Sequence, residues 1–142
     1  MRTQLNAVLL LLASICFAAP IAPALAADGD QYLGTWSGSW AGADGSSGHF
    51  QLNLERGSDG KLTGSIAVSQ DGGGSDYTSK LKNAGFAGDK FTAAYEPPDG
   101  QSEIHMKGTF GSKGGDGDWS LGTKDQPSSP AMASGTWKIT KP

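Results

Sequence analysis

From residue 33 onward the chain alternates large apolar with small or polar residues at a period of two, and this excludes most folds. Residues 49–55 show it best: Phe50, Leu52 and Leu54 are interleaved with His49, Gln51, Asn53 and Glu55. Successive side chains of a strand point to opposite faces, so such an order builds a sheet with one dry face and one wet face. No segment of this region carries the stripe at i, i+3, i+4 that an amphipathic helix needs.

The alternation predicts eight strands. Residues 33–40 turn Gly34, Trp36, Gly38 and Trp40 to one face, and 61–69 turn Leu62, Gly64, Ile66 and Val68. Residues 77–82 bury Tyr77 and Leu81, and 90–96 bury Phe91, Ala93 and Tyr95. Residues 103–110 turn in Ile104, Met106, Gly108 and Phe110; 117–122 turn in Trp119 and Leu121; 132–140 turn in Gly135, Trp137 and Ile139. Turn residues such as Gly57-Ser58-Asp59-Gly60 and Pro97-Pro98-Asp99-Gly100 join them, and short connections force antiparallel neighbours. The expected fold is all-β, an eight-stranded antiparallel up-and-down β-barrel, with a β-sandwich as the alternative. Inward glycines (Gly38, Gly64, Gly108, Gly117, Gly135) beside large residues favour the barrel, whose interior has little room. Gly34-Thr35-Trp36 is echoed by Gly135-Thr136-Trp137 on the first and last strands, which closure makes neighbours.

Residues 1–26 stand apart. Arg2, an apolar run broken by Pro20 and Pro23, and the small residues Ala24 and Ala26 have the order of a secretory signal peptide, leaving 27–142 as a single barrel domain. A periplasmic or secreted protein is expected, with no membrane span in the mature chain. Cys16, the sole cysteine, leaves with the signal, so no disulfide is expected. The mature part keeps ten basic residues against fourteen acidic ones, since only Arg2 is lost. Without a positive footprint, nucleic acid is not an expected partner.

Direction of travel assigns the inward residues to two ends. One end collects Trp36, Trp119 and Trp137 with Leu54, Phe91 and Phe110, enough to plug a small barrel. The other has longer loops and the tyrosines, an apolar mouth with polar handles. Its expected ligand-binding residues are Trp40, Phe50, Tyr77 and Tyr95, for a small apolar or aromatic molecule. Two alternatives stay open: a filled barrel whose long loops hold a protein or polysaccharide, as an envelope protein or inhibitor would, and an inside-out membrane barrel with a polar lumen.

No catalytic set is found. The chain has no G-x-S-x-G, and His49 and His105 fall on the wet face of non-adjacent strands without a metal-ligand spacing. Gly114-Gly115-Asp116-Gly117-Asp118 lacks the later residues of a calcium loop and reads as a turn. The expectation is a protein that is not an enzyme, with no metal and no cofactor.

Gly34-Thr35-Trp36 resembles the G-x-W of the calycin barrels, the lipocalins and avidins, whose first-strand tryptophan packs inside the barrel. The resemblance implies a barrel with an open end. Avidins follow the triplet with an asparagine and a serine that hold the biotin ureido group; here Gly38 and Gly42 stand there, and those contacts are lost. Lipocalins lay a late arginine over the tryptophan, whereas Arg56, the mature chain's one arginine, comes early.

Overall fold

The computed structural model describes residues 28–126 and 128–142; the segment read as an export signal, with Cys16, lies outside them. After a 3-10 turn at Asp30–Tyr32 come nine strands: β1 (Gly34–Gly42), β2 (Ser47–Arg56), β3 (Leu62–Gln70), β4 (Tyr77–Lys80), β5 (Lys82–Ala87), β6 (Lys90–Tyr95), β7 (Ser102–Phe110), β8 (Gly114–Thr123) and β9 (Ala133–Thr140). They form one antiparallel sheet in the order β4-β3-β2-β1-β9-β8-β7-β6-β5. A single continuous sheet rules out the two-layer sandwich. Pairing of β1 with β9, from Ser37↔Thr140 to Gly42↔Gly135, wraps the sheet into a nearly closed barrel.

The ninth strand corrects the sequence reading. Residues 77–82 were expected to be one strand, but the chain bends at Leu81 and serves both neighbours in turn. β4 pairs with β3 (Val68↔Tyr77 to Ser65↔Lys80), whereas β5 pairs with β6 (Lys82↔Ala94 to Ala87↔Lys90). Leu81 is buried, and its N–H donates to the Gly64 carbonyl at 2.9 Å. Just past the bend a register shift between Lys82 and Gly85, with Asn83 at φ 51°, disturbs the alternation that would have revealed β5. The ring is therefore interrupted at the β4–β5 bend, since β4 and β5 are the two free edges of the sheet. Ser79 Oγ spans part of the break by donating to the Glu96 carbonyl at 2.6 Å.

The faces follow the alternation. Trp36, Trp137, Phe91, Phe110, Leu52, Leu54 and Ile66 are almost wholly buried inside, while Ser37, Ser39, Gln51, Lys138 and Thr140 face out. This is the reverse of an inside-out membrane barrel. Each large side chain withdrawn from water contributes about 1.5–3 kcal/mol. Both histidines are exposed on the outer face, as expected.

Inward glycines provide slots for rings. A Cβ at Gly38 would stand 2.6 Å from Phe50 Cζ; one at Gly108 or Gly117 would meet Trp137 Cζ2 at 2.5 or 2.6 Å. Gly48 and Gly135 leave the same kind of space for the Trp40 and Trp119 indoles. The GTW triplets do lie on the two seam strands, but they do not meet. Antiparallel pairing sets Trp40 opposite Trp137 and leaves Trp36 at the far end.

That far end is sealed by a part the sequence did not reveal, because three residues of 3-10 helix carry no period. Tyr32, 7% exposed, stacks on Phe86 at 4.7 Å and packs edge-on to Phe110 at 5.4 Å. The Trp36 indole donates to the Tyr32 carbonyl at 2.8 Å. Arg56 ties the turn down through Nε to Asp30 Oδ1 (2.8 Å) and a second bond to the Asp28 carbonyl. Over the outside of Trp36 lies Lys141, its Nζ 5.3 Å from the ring centre and 3.2 Å from the Leu33 carbonyl. A late cation does cover the tryptophan; it is a lysine. Lys141→Met is expected to lose about 0.5–1 kcal/mol of cation–π attraction, read as a lower midpoint in urea, with Lys141→Arg near wild type. Equal midpoints for all three would remove any role for the contact.

Candidate functional site

Above the ring-packed floor the barrel opens. The turns at this end, 43–46, 71–76, 96–101 and 124–132, are mostly longer than the far-end connections at 57–61, 88–89 and 111–113. At this end, beside the first three of these turns, lies a cavity of about 300 Å³. Trp40, Phe50, Tyr77 and Tyr95, named from the sequence, all line it. Ile66, Val68, Ile104, Met106 and Leu121 complete its apolar wall, and Trp137 closes it from below.

Trp119 is also here, which corrects its assignment to the plugged end. Counting from strand ends ignores the stagger of a tilted barrel. The actual register sets Trp119 opposite Met106 and Gly135, toward the mouth, where its ring meets Trp40 edge-on at 5.9 Å and 89°. The indole N–H groups are spent on the frame: Trp40 donates to the Ser69 carbonyl (3.1 Å), Trp119 to Ala41 (3.2 Å) and Trp137 to Asp118 (3.0 Å). These bonds fix the ring planes and leave faces and edges, not donors, toward the cavity.

The polar handles are few. Tyr77 and Tyr95 pack with ring centres 6.4 Å apart. Burial pushes both phenols up; the Tyr95 hydroxyl partly offsets this at Tyr77, whereas the Tyr77 hydroxyl raises Tyr95 further. Both are neutral at ordinary pH. At the rim, Asp44 and Asp99 cap their own turns. Asp44 Oδ1 accepts from Ser46 Oγ (2.5 Å) and Ser46 N (3.0 Å). Asp99 accepts from Ser102 Oγ (2.5 Å) and from the N–H groups of Gln101 (2.9 Å) and Ser102 (3.0 Å). Those bonds, the serine hydroxyls first, hold both carboxyls below the usual range, so they are ionised at neutral pH. Single aspartates in short turns gave no sequence signal of this role; only the circle of turns brings them to one opening.

On the outer wall, Glu96 and Glu103 share Lys82 at 2.9 Å each, and Lys124 meets Glu96 at 2.7 Å. Among the described residues no group of three or more His, Cys, Asp or Glu could hold a metal ion, and no helix is long and apolar enough to cross a membrane.

No protein-family model matches the chain, and no curated protein matches it either. Its shape does have a relative. The chain is similar to the solved structure of EF1p2_mFAP2b bound to DFHBI, with a TM-score of 0.58 and 19% identity, over 79% of this chain and 94% of that one. The fold is a calycin-like barrel.

Proposed function

We propose that the protein is an exported binding barrel, without catalytic activity, that takes a small apolar or aromatic molecule into the mouth lined by Trp40, Phe50, Tyr77 and Tyr95. One observation carries this reading: a cavity of about 300 Å³, walled by aromatic and aliphatic side chains, stands open above a solidly packed floor. That is the usual make-up of a small-ligand site, and the volume falls at the lower end of the usual range. The similar barrel bound to DFHBI, a small aromatic ligand, supports the same use of the fold. Periplasmic or secreted placement rests on the signal-like order of residues 1–26.

Binding is favoured over turnover by the chemistry of the rim. The nearest hydroxyl–carboxylate pair, Ser102 and Asp99, is a turn cap in which the serine already donates, and the lowered carboxyl is a weak base.

Titration with a small neutral aromatic such as naphthalene, followed by calorimetry and by indole fluorescence, tests the reading. Wild-type protein is expected to saturate with a 1:1 stoichiometry. Trp40→Phe is expected to bind about five- to tenfold more weakly, the loss of about 1–1.4 kcal/mol of ring contact. Calorimetric affinity unchanged in a folded Trp40→Phe protein would end the proposal.

A further inference from the structure

The charge around the mouth is one-sided. The four turns at this end of the barrel, three of which line the cavity, carry Asp44, Asp71, Asp76, Glu96, Asp99 and Asp125 against a single cation, Lys124, and that lysine is taken up by Glu96. Glu96 is also engaged by Lys82, and Asp71 receives Ser47 Oγ and lies 3.8 Å from His49. Asp44 and Asp99 are the two acids that line the cavity itself, and among the described residues no Lys, Arg or His forms an ion pair with either. Among the described residues no Lys or Arg lines the cavity. Inside the rim stand two aromatic pairs, Trp40 with Trp119 and Tyr77 with Tyr95.

Ring faces attract a desolvated cation through their quadrupoles, and an arrangement of several rings is the usual receptor for a quaternary ammonium group. Two ionised carboxylates at the entrance raise the local concentration of a cation and lower that of an anion. Resting on the binding-barrel reading, we propose that the mouth selects a small organic cation, a quaternary ammonium or protonated amine attached to an apolar or aromatic body. The apolar body lies on Phe50, Ile66 and Trp137, and the charged head sits among the four rings beneath Asp44 and Asp99.

Three probes of nearly equal shape separate charge from size: phenyltrimethylammonium, its neutral isostere tert-butylbenzene, and benzenesulfonate. Binding is measured by calorimetry and ligand-observed NMR at low salt, on wild type and on Asp44→Asn/Asp99→Asn. Asparagine keeps an acceptor oxygen for each turn, so the loops retain their caps while the charge goes. The cation is expected to bind at least fivefold more tightly than the isostere, and benzenesulfonate more weakly than either. The double variant, its fold checked by circular dichroism, is expected to lose three- to tenfold in affinity for the cation and to hold the neutral probe unchanged.

If tert-butylbenzene or benzenesulfonate binds as well as the cation, charge selection is overturned while the binding barrel stands. A cation preference that survives in the double variant overturns the part given to the two carboxylates. Failure of all three probes and of naphthalene overturns the binding reading and this inference together.

Discussion

Phe110→Ala is expected to cost about 3–5 kcal/mol, the range for deleting a buried phenylalanine ring that its surroundings cannot replace. This ring is the hub of the closed end, with centroids 4.9 Å from Phe91, 5.0 Å from Phe86, 5.1 Å from Trp36, 5.4 Å from Tyr32 and 6.0 Å from Trp137. Its neighbours come from the 3-10 turn and from β1, β5, β6 and β9, so one deletion loosens the plug and the wall together. Against a typical domain stability of about 5–15 kcal/mol the loss is a large share. Urea denaturation should show a midpoint lowered in proportion, with the slope unchanged if the native barrel persists. A loss under about 1 kcal/mol would mean that the ring cluster is not formed as described.

Gly117→Ala is expected to destabilise the fold by about 1–3 kcal/mol through overpacking. The added Cβ would press hardest on the Lys107 carbonyl oxygen and would sit 2.6 Å from both Trp137 Cζ2 and the Gly108 Cα. β7 and β8 must separate locally to admit it, and the edge of Trp137, which floors the cavity, is pressed at the same time. The variant should therefore bind naphthalene more weakly as well as unfold earlier, linking core packing to the site. Gly108→Ala presses the same edge of the same indole at 2.5 Å. The two should combine to less than their sum, because Gly108 and Gly117 are cross-strand partners and both open the same β7–β8 pairing. An alanine variant as stable as wild type, or strictly additive costs, would contradict the shared slot.

What could be read from the sequence was whatever depends on side-chain parity. Phe50, Leu52 and Leu54 are buried and His49 and Gln51 exposed, because a strand has only two faces and water accepts one order. Parity together with short turns also brought β1 beside β9. Height along the barrel was less legible, since it depends on stagger, which no residue encodes alone; Trp119 was assigned to the wrong end for that reason. β5 was missed where Asn83 and the register shift break parity, and Ala94, on the face opposite Ala93, is buried although alternation turns it outward. The four mouth residues were found because they are large, inward and at the long-loop end. Asp44 and Asp99 were not, because an aspartate that caps a turn looks the same whether or not the turn borders a cavity.

The pairing of Ser37–Gly42 with Gly135–Thr140 has a consequence for the growing polypeptide. Its two partners are about a hundred residues apart in the chain, so hairpins from β1 to β8 can assemble on the way but the ring cannot shut before the last strand exists. Until then Trp36 lacks Lys141, Trp137 is absent from the centre, and the free edges of β1 and β8 are open to pairing with other chains. A barrel stitched end to end in this way is completed only when β9 arrives, and its vulnerable moment comes before that.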